Sequence, residues 1–132
     1  MAQPNPEDRK YSREHEWAKD RGDGTVTVGI TDFAQEMLTD IVFVELPALG
    51  RKVKREEPFA VVESVKSVSD IFAPVSGEVI TVNDALEEKP ELINQDAFNE
   101  GWIAVIRMDD PGELELLMTA GDYQALIEAE DH

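Results

Sequence analysis

Phe59-Ala60-Val61-Val62-Glu63-Ser64-Val65-Lys66-Ser67-Val68-Ser69-Asp70-Ile71-Phe72-Ala73 reads as two strands folded back on one another. The first run, Phe59 to Val65, is rich in β-branched residues, and Val68 to Ala73 resumes the same character. Lys66-Ser67 interrupts them and forms the tip. The residues around the tip are small: Ser64, Ser67 and Ser69. A lysine placed there projects into water with its neighbours falling away behind it. Its amine is unhindered, so another enzyme can grip the hairpin and acylate it. The plainer reading is a solvated turn lysine that aids solubility, and position alone does not choose between the two.

Outward from this hairpin, strand signals continue in both directions. Ile41 to Leu46 is a strand in which Ile41, Phe43 and Leu46 compete with Val42 and Val44 for the core face. Glu78-Val79-Ile80-Thr81-Val82 alternates as a half-buried strand does, and so does Thr25 to Ile30. Glu16-Trp17-Ala18 begins another, and Trp102 to Met108 a last one. The Pro47-x-x-Gly50 turn with Val53 is echoed by Pro74-x-x-Gly77 with Val79, which suggests two similar β halves flanking the lysine hairpin.

Helical signals are short. Asp32 has capping-box spacing to Gln35, predicting a helix to Leu38 with Phe33, Met37 and Leu38 on its buried side. Ala85 to Glu88 is a helical piece ended by Pro90, and Glu91 to Asn99 reads as a loop with a little apolar content. Pro111 opens a helix carrying Leu114, Leu117 and Met118. Thr119 caps a last one from about Ala120 to Glu128, with Tyr123, Leu126 and Ile127 on one face. Residues 1–10 are polar, contain two prolines and read as a flexible arm. Residues 11–132 then form a single domain.

Composition narrows the chemistry. The 132 residues include 29 acidic and 12 basic side chains, a formal charge of −17. Such a surface repels phosphates, so nucleic acid is excluded as a partner, while basic protein surfaces are favoured. No apolar run nears the roughly 20 residues of a membrane helix. The N-terminus resembles neither a secretory signal nor a transit peptide. A cytoplasmic bacterial protein is expected, with a mature organellar form left open. Cysteine is absent and only two histidines occur. Thiol nucleophiles, iron–sulfur clusters and histidine-rich metal sites are therefore excluded. Any sulfur chemistry must ride on an attached group, and few parts remain for independent catalysis.

The segment Glu63 to Val79 closely resembles the lipoyl-attachment segment of the glycine cleavage system H protein family. Other blocks match in order: His15-Glu16-Trp17, Val28 to Gln35, Asp40 to Pro47, Pro90 to Asn94 and Gly101-Trp102. The resemblance runs from about Tyr11 to Leu126. It departs at Ala97-Phe98-Asn99, where the family carries Pro-Tyr-Gly. Phe98 keeps the ring without the hydroxyl, and Asn99 is a residue able to adopt positive φ.

The resemblance implies a mainly β fold of lipoyl/biotinyl type, a flattened β-barrel or barrel–sandwich hybrid, with short helices of which two lie at the C-terminus. It implies lipoate bound covalently as N6-lipoyllysine at Lys66, and a non-catalytic carrier. Such a carrier shuttles an aminomethyl group from glycine decarboxylase (P protein) to aminomethyltransferase (T protein). It takes its dithiol to dihydrolipoyl dehydrogenase (L protein), and it also meets the lipoate-attaching enzymes. Glu63 and Asp70 are read as hairpin-recognition residues, against solvated charges. Glu14, His15 and Glu16 are candidates for a cleft that shields the arm; for His15 the alternative is a packed, hydrogen-bonded ring. Trp17 and Trp102 are read as packing residues. A lipoyl donor serving other complexes remains an alternative function. A biotinyl carrier is disfavoured because Val65 and Ser67, rather than methionines, flank the lysine. A 2-oxo-acid dehydrogenase lipoyl domain is disfavoured by the missing linkers.

Overall fold

The computed structural model describes residues 5–130. Among the described residues, nine strands form two sheets: β1 Lys10–Tyr11, β2 Glu16–Asp20, β3 Thr25–Ile30, β4 Ile41–Glu45, β5 Lys52–Val53, β6 Pro58–Ser64, β7 Val68–Phe72, β8 Gly77–Val82 and β9 Ala104–Met108. The larger sheet has the order β1-β2-β3-β9-β8-β5, and the smaller β4-β6-β7. The two ladders do not merge, so the expected flattened fold is a sandwich rather than a closed barrel. All strand pairs are antiparallel. The two Pro-x-x-Gly turns do meet: Lys52 pairs with Glu78 and Val53 with Gly77.

The core lies between the sheets. Val26, Val28 and Ile30 of β3 and Val79 and Ile106 of β8 and β9 face Val44, Phe59, Val62 and Ile71 from the smaller sheet. Removing this apolar area from water is the main favourable term, at about 25 cal/mol per Å2. A second cluster joins Tyr11, Trp17, Phe98, Tyr123 and Ile127 at the terminal end.

Helices α1 Asp32–Leu38, α2 Ala85–Glu88, α3 Leu92–Gln95 and α4 Ala120–Glu130 decorate the sandwich, with a 3-10 turn at Pro111–Leu116. Several sequence expectations are corrected here. The α1 cap is Thr31, whose hydroxyl accepts from Ala34 N; Asp32 instead accepts from the Gln35 amide. Met37 is 46% exposed rather than buried. The competition in β4 is decided by a register shift between Ile41 and Phe43. This bulge turns both Val42 and Phe43 outward and leaves Ile41 and Val44 in the core. The 91–99 segment is not a plain loop, since it holds α3 and buries Ile93, Ala97 and Phe98. Asn99 does not use positive φ, which among the described non-glycine residues falls instead on His15, Thr39 and Glu56. The first C-terminal helix is 3-10, not α, and none of its residues is buried.

The arm expected over residues 1–10 does not extend to its inner end. Arg9 is buried, its guanidinium 4.6 Å from the Trp17 ring and donating to Phe98 O at 2.7 Å, and Lys10 already belongs to β1. Residues 1–4 lie outside the described residues. Among the described residues, no helix is long and apolar enough to cross a membrane.

Candidate functional site

Strands β6 and β7 carry the lysine between them, in register from Val61–Asp70 to Glu63–Val68. Ser64 organises the tip. Its hydroxyl accepts from Lys66 N at 3.2 Å and Ser67 N at 3.0 Å, and donates to Ser67 O at 3.2 Å. Ser64 N donates to the same carbonyl at 2.8 Å. One buried hydroxyl therefore satisfies the backbone groups that a tight turn would otherwise leave unpaired.

The tip rests on the segment between α1 and β4. Val65 N donates to Asp40 O at 3.1 Å, and Lys66 Nζ donates to Met37 O at 3.3 Å. That segment is itself held from α3. Asn94 Nδ2 donates to Thr39 O and Gln35 Oε1, each at 2.8 Å, and its Oδ1 accepts from Ile41 N at 2.9 Å. Thr39 sits at φ 65°, an uncommon conformation for a β-branched residue. The three Asn94 bonds hold the chain on either side of it.

Ser64 and Asn94 are not among the candidates that the sequence offers. Ser64 reads there only as a small residue, although a serine two residues before a tip residue is a recognisable turn signal. Asn94 lay inside a matching block, but its partners are more than 50 residues away in sequence.

Other candidates separate. Glu63 and Asp70 lie on the outer face of the lysine sheet, opposite Val68 and Val61 respectively. Glu14 lines a cleft of about 130 Å3 with Ser12, Arg13, Arg55 and Glu56. Glu16 is buried beneath that region. Its carboxyl accepts from the Ser12 hydroxyl and from Phe72 N at 3.1 Å, which ties β2 of one sheet to β7 of the other. Burial pushes its pKa up to about 7. His15 is a packed residue. Its Nδ1 lies 2.7 Å from Tyr123 Oη, its Nε2 3.4 Å from Glu130, and its ring packs on Phe33. Burial likewise raises the Tyr123 pKa. Trp17 donates from Nε1 to Ile30 O and Ala97 O at 2.9 and 3.1 Å, so it is a core residue. A wider surface groove, about 660 Å3, lies elsewhere, lined by Trp17, Lys19, Phe98 and Trp102 among others.

Fold and site define a class: a small two-sheet β domain that presents one lysine on an exposed, internally braced hairpin. Comparison with known proteins names the family. The glycine cleavage H-protein model matches residues 9–130. The chain is 55% identical over 126 residues to the glycine cleavage system H protein of Anaeromyxobacter sp. (strain K), covering 96% of this chain and 98% of that one. It is 56% identical over 125 residues to a glycine cleavage system H protein of Thermus thermophilus, covering 95% and 97%. The crystal structure of a glycine cleavage system H protein from Mycobacterium marinum superposes with a TM-score of 0.84 at 40% identity, covering 92% of this chain and 97% of that one. The chain belongs to the glycine cleavage H-protein family.

Proposed function

We propose that the protein is the lipoyl carrier of a bacterial, cytoplasmic glycine cleavage system, with lipoate in amide linkage to Lys66 Nζ. Family membership supports the system; the braced, exposed lysine tip supports the residue. Lys66 is exposed, and its amine makes one long contact, 3.3 Å to a carbonyl, which is easily given up. The position therefore fits a group attached at Nζ. The lipoyl group supplies a dithiol/disulfide that carries a one-carbon unit and electrons, chemistry that a chain without cysteine cannot supply.

The protein's own residues do the rest. Ser64 holds the turn so that Lys66 leads. Asn94 and the Thr39 segment stop the tip from folding back. Glu16 fixes β7 at the base of the hairpin. The tether keeps the group at high effective concentration near its carrier, while the decarboxylase, the aminomethyltransferase and the dihydrolipoyl dehydrogenase take turns at its end. Glu63 and Asp70 mark the hairpin for the attaching enzyme, and Glu14 in its cleft is the candidate to receive the loaded arm.

Incubation with lipoate, ATP and a purified lipoate–protein ligase tests the assignment. Intact mass should rise by one lipoyl group, and Lys66→Arg should abolish the rise. A rise that survives Lys66→Arg overturns the site. The lipoylated protein should then support glycine-dependent CO2 exchange with a purified glycine decarboxylase; failure there overturns the pathway assignment.

A further inference from the structure

Among the described residues, seven large hydrophobic side chains stand strongly exposed, and five of them gather at the lysine: Met37, Val42, Phe43, Val65 and Val68, each between 46 and 70% exposed. Strand pairing and hydrogen bonds place them together. Val65 adjoins Lys66, whose Nζ reaches Met37 O. Phe43, Glu63 and Val68 form one cross-strand row, through the pairs Phe43–Glu63 and Glu63–Val68, and residues directly opposite share a face. The β4 bulge adds Val42 to the outward set. The core does not require this arrangement, because Ile41 and Val44 already fill it. A contiguous exposed apolar patch with a polar rim marks an interaction site. The charge of these segments carries one sign: Glu36, Asp40, Glu45 and Asp70 flank the five in sequence, Glu63 stands between Phe43 and Val68 in the cross-strand row, and within residues 36–45 and 63–70 Lys66 is the only basic residue.

We propose that these five side chains form an apolar collar that seats the acyl-transferring enzyme which modifies Lys66, and that this enzyme presents an apolar seat with a basic rim. The proposal rests on the reading of Lys66 as the attachment residue. Enzymes that work at the far end of an extended arm need not touch its base. Acylation of Nζ brings the reacting carbonyl to the base itself, so the collar must be covered in that complex. In the step, the free Nζ attacks the carbonyl carbon of an activated acyl donor, an acyl phosphate anhydride or thioester. The amide bond forms, the bond to the phosphate or sulfur breaks, and the amine's proton passes to a base on the enzyme. A second copy of this chain is a poor occupant, since it would set five carboxylates against five.

The test uses the whole apo chain, a purified lipoate–protein ligase, lipoate and ATP, with attachment read by intact mass. The double variant Phe43→Ser/Val68→Ser should raise KM for the chain by about tenfold or more, as loss of hot-spot side chains does, with kcat within about twofold. Leu49→Ser/Leu116→Ser, at the two exposed sites outside the collar, should leave KM within about twofold. Should the double variant fold poorly by thermal melting, competition replaces it. A Lys66→Arg chain should inhibit attachment to the wild type, and Lys66→Arg with Val42→Thr should inhibit more weakly. Wild-type KM in the collar variant, or equal inhibition by both competitors, overturns the collar. A wild-type dimer that the collar variant abolishes also overturns it, in favour of a second copy. Failure of the wild type itself to gain mass is a different result, and it overturns the Lys66 assignment.

Discussion

Replacing Glu16 by glutamine should change how stability depends on pH, and the structure sets the size of the effect. Glu16 is 1% exposed and makes no ion pair among the described residues; it accepts from Ser12 Oγ and Phe72 N. Burial disfavours the charged form more than these two bonds favour it, which moves the pKa from 4.5 to about 7. A carboxyl with a raised folded pKa binds its proton more tightly in the folded state. Its favourable contribution is therefore full below pH 4.5 and is lost as pH rises through about 7. The difference between those values corresponds to about 3 kcal/mol at 1.36 kcal/mol per pH unit. Glutamine imitates the protonated acid, because its Oε1 can accept from Phe72 N while its Nε2 donates to Ser12 Oγ. Urea denaturation of both proteins, followed by tryptophan fluorescence across pH 5 to 8, isolates the effect, since the other carboxylates are common to both. The variant's advantage should be below about 1 kcal/mol at pH 5 and reach about 3 kcal/mol at pH 8. Parallel stability curves, or a wild type that gains on the variant as pH rises, would refute the reasoning.

Three further outcomes are expected. Ser64→Ala removes the hydroxyl that serves three backbone groups at the tip; it should cost about 1–3 kcal/mol and speed amide exchange at Lys66 and Ser67. Unchanged exchange there would show that the turn holds without it. Gly77→Ala places a Cβ 2.0 Å from Arg107 O. The clash is with backbone at the β8–β9 pairing, so the loss should exceed the about 1–3 kcal/mol of ordinary overpacking, measured by denaturant midpoint. Tyr123→Phe deletes the hydroxyl lying 2.7 Å from both His15 Nδ1 and Thr31 Oγ1. A loss of about 1–3 kcal/mol is expected, with increased proteolysis in α4 and no change in the rate of lipoyl attachment.

Charge and chain connectivity left much of this molecule readable before folding. The Lys66 hairpin was legible because its signal is local: two β-branched runs with a small, polar break between them. The absence of cysteine, with few histidines, was legible for the same kind of reason, since chemistry that lacks its atoms cannot occur. Matching blocks spread along the chain carried the family, which a single lysine could not have done.

Other features depended on which distant groups met. Thr31 and Asp32 can both cap a helix, and the contact with Ala34 N decided between them. Alternation in β4 admitted two core faces, and the bulge made neither periodic reading correct. Residues 91–99 read as a loop with a little apolar content, yet Ile93, Ala97 and Phe98 are buried because the segment closes over Trp17 and braces the lysine tip through Asn94. Glu14, His15 and Glu16 were adjacent candidates for one role. The fold sends one to a surface cleft, one to the C-terminal helix and one between the sheets. The hairpin lysine was thus written in the sequence, since a turn needs only its own residues. Its support and its apolar surroundings were decided by the tertiary structure, because burial and hydrogen bonding there join groups that only the folded chain brings together.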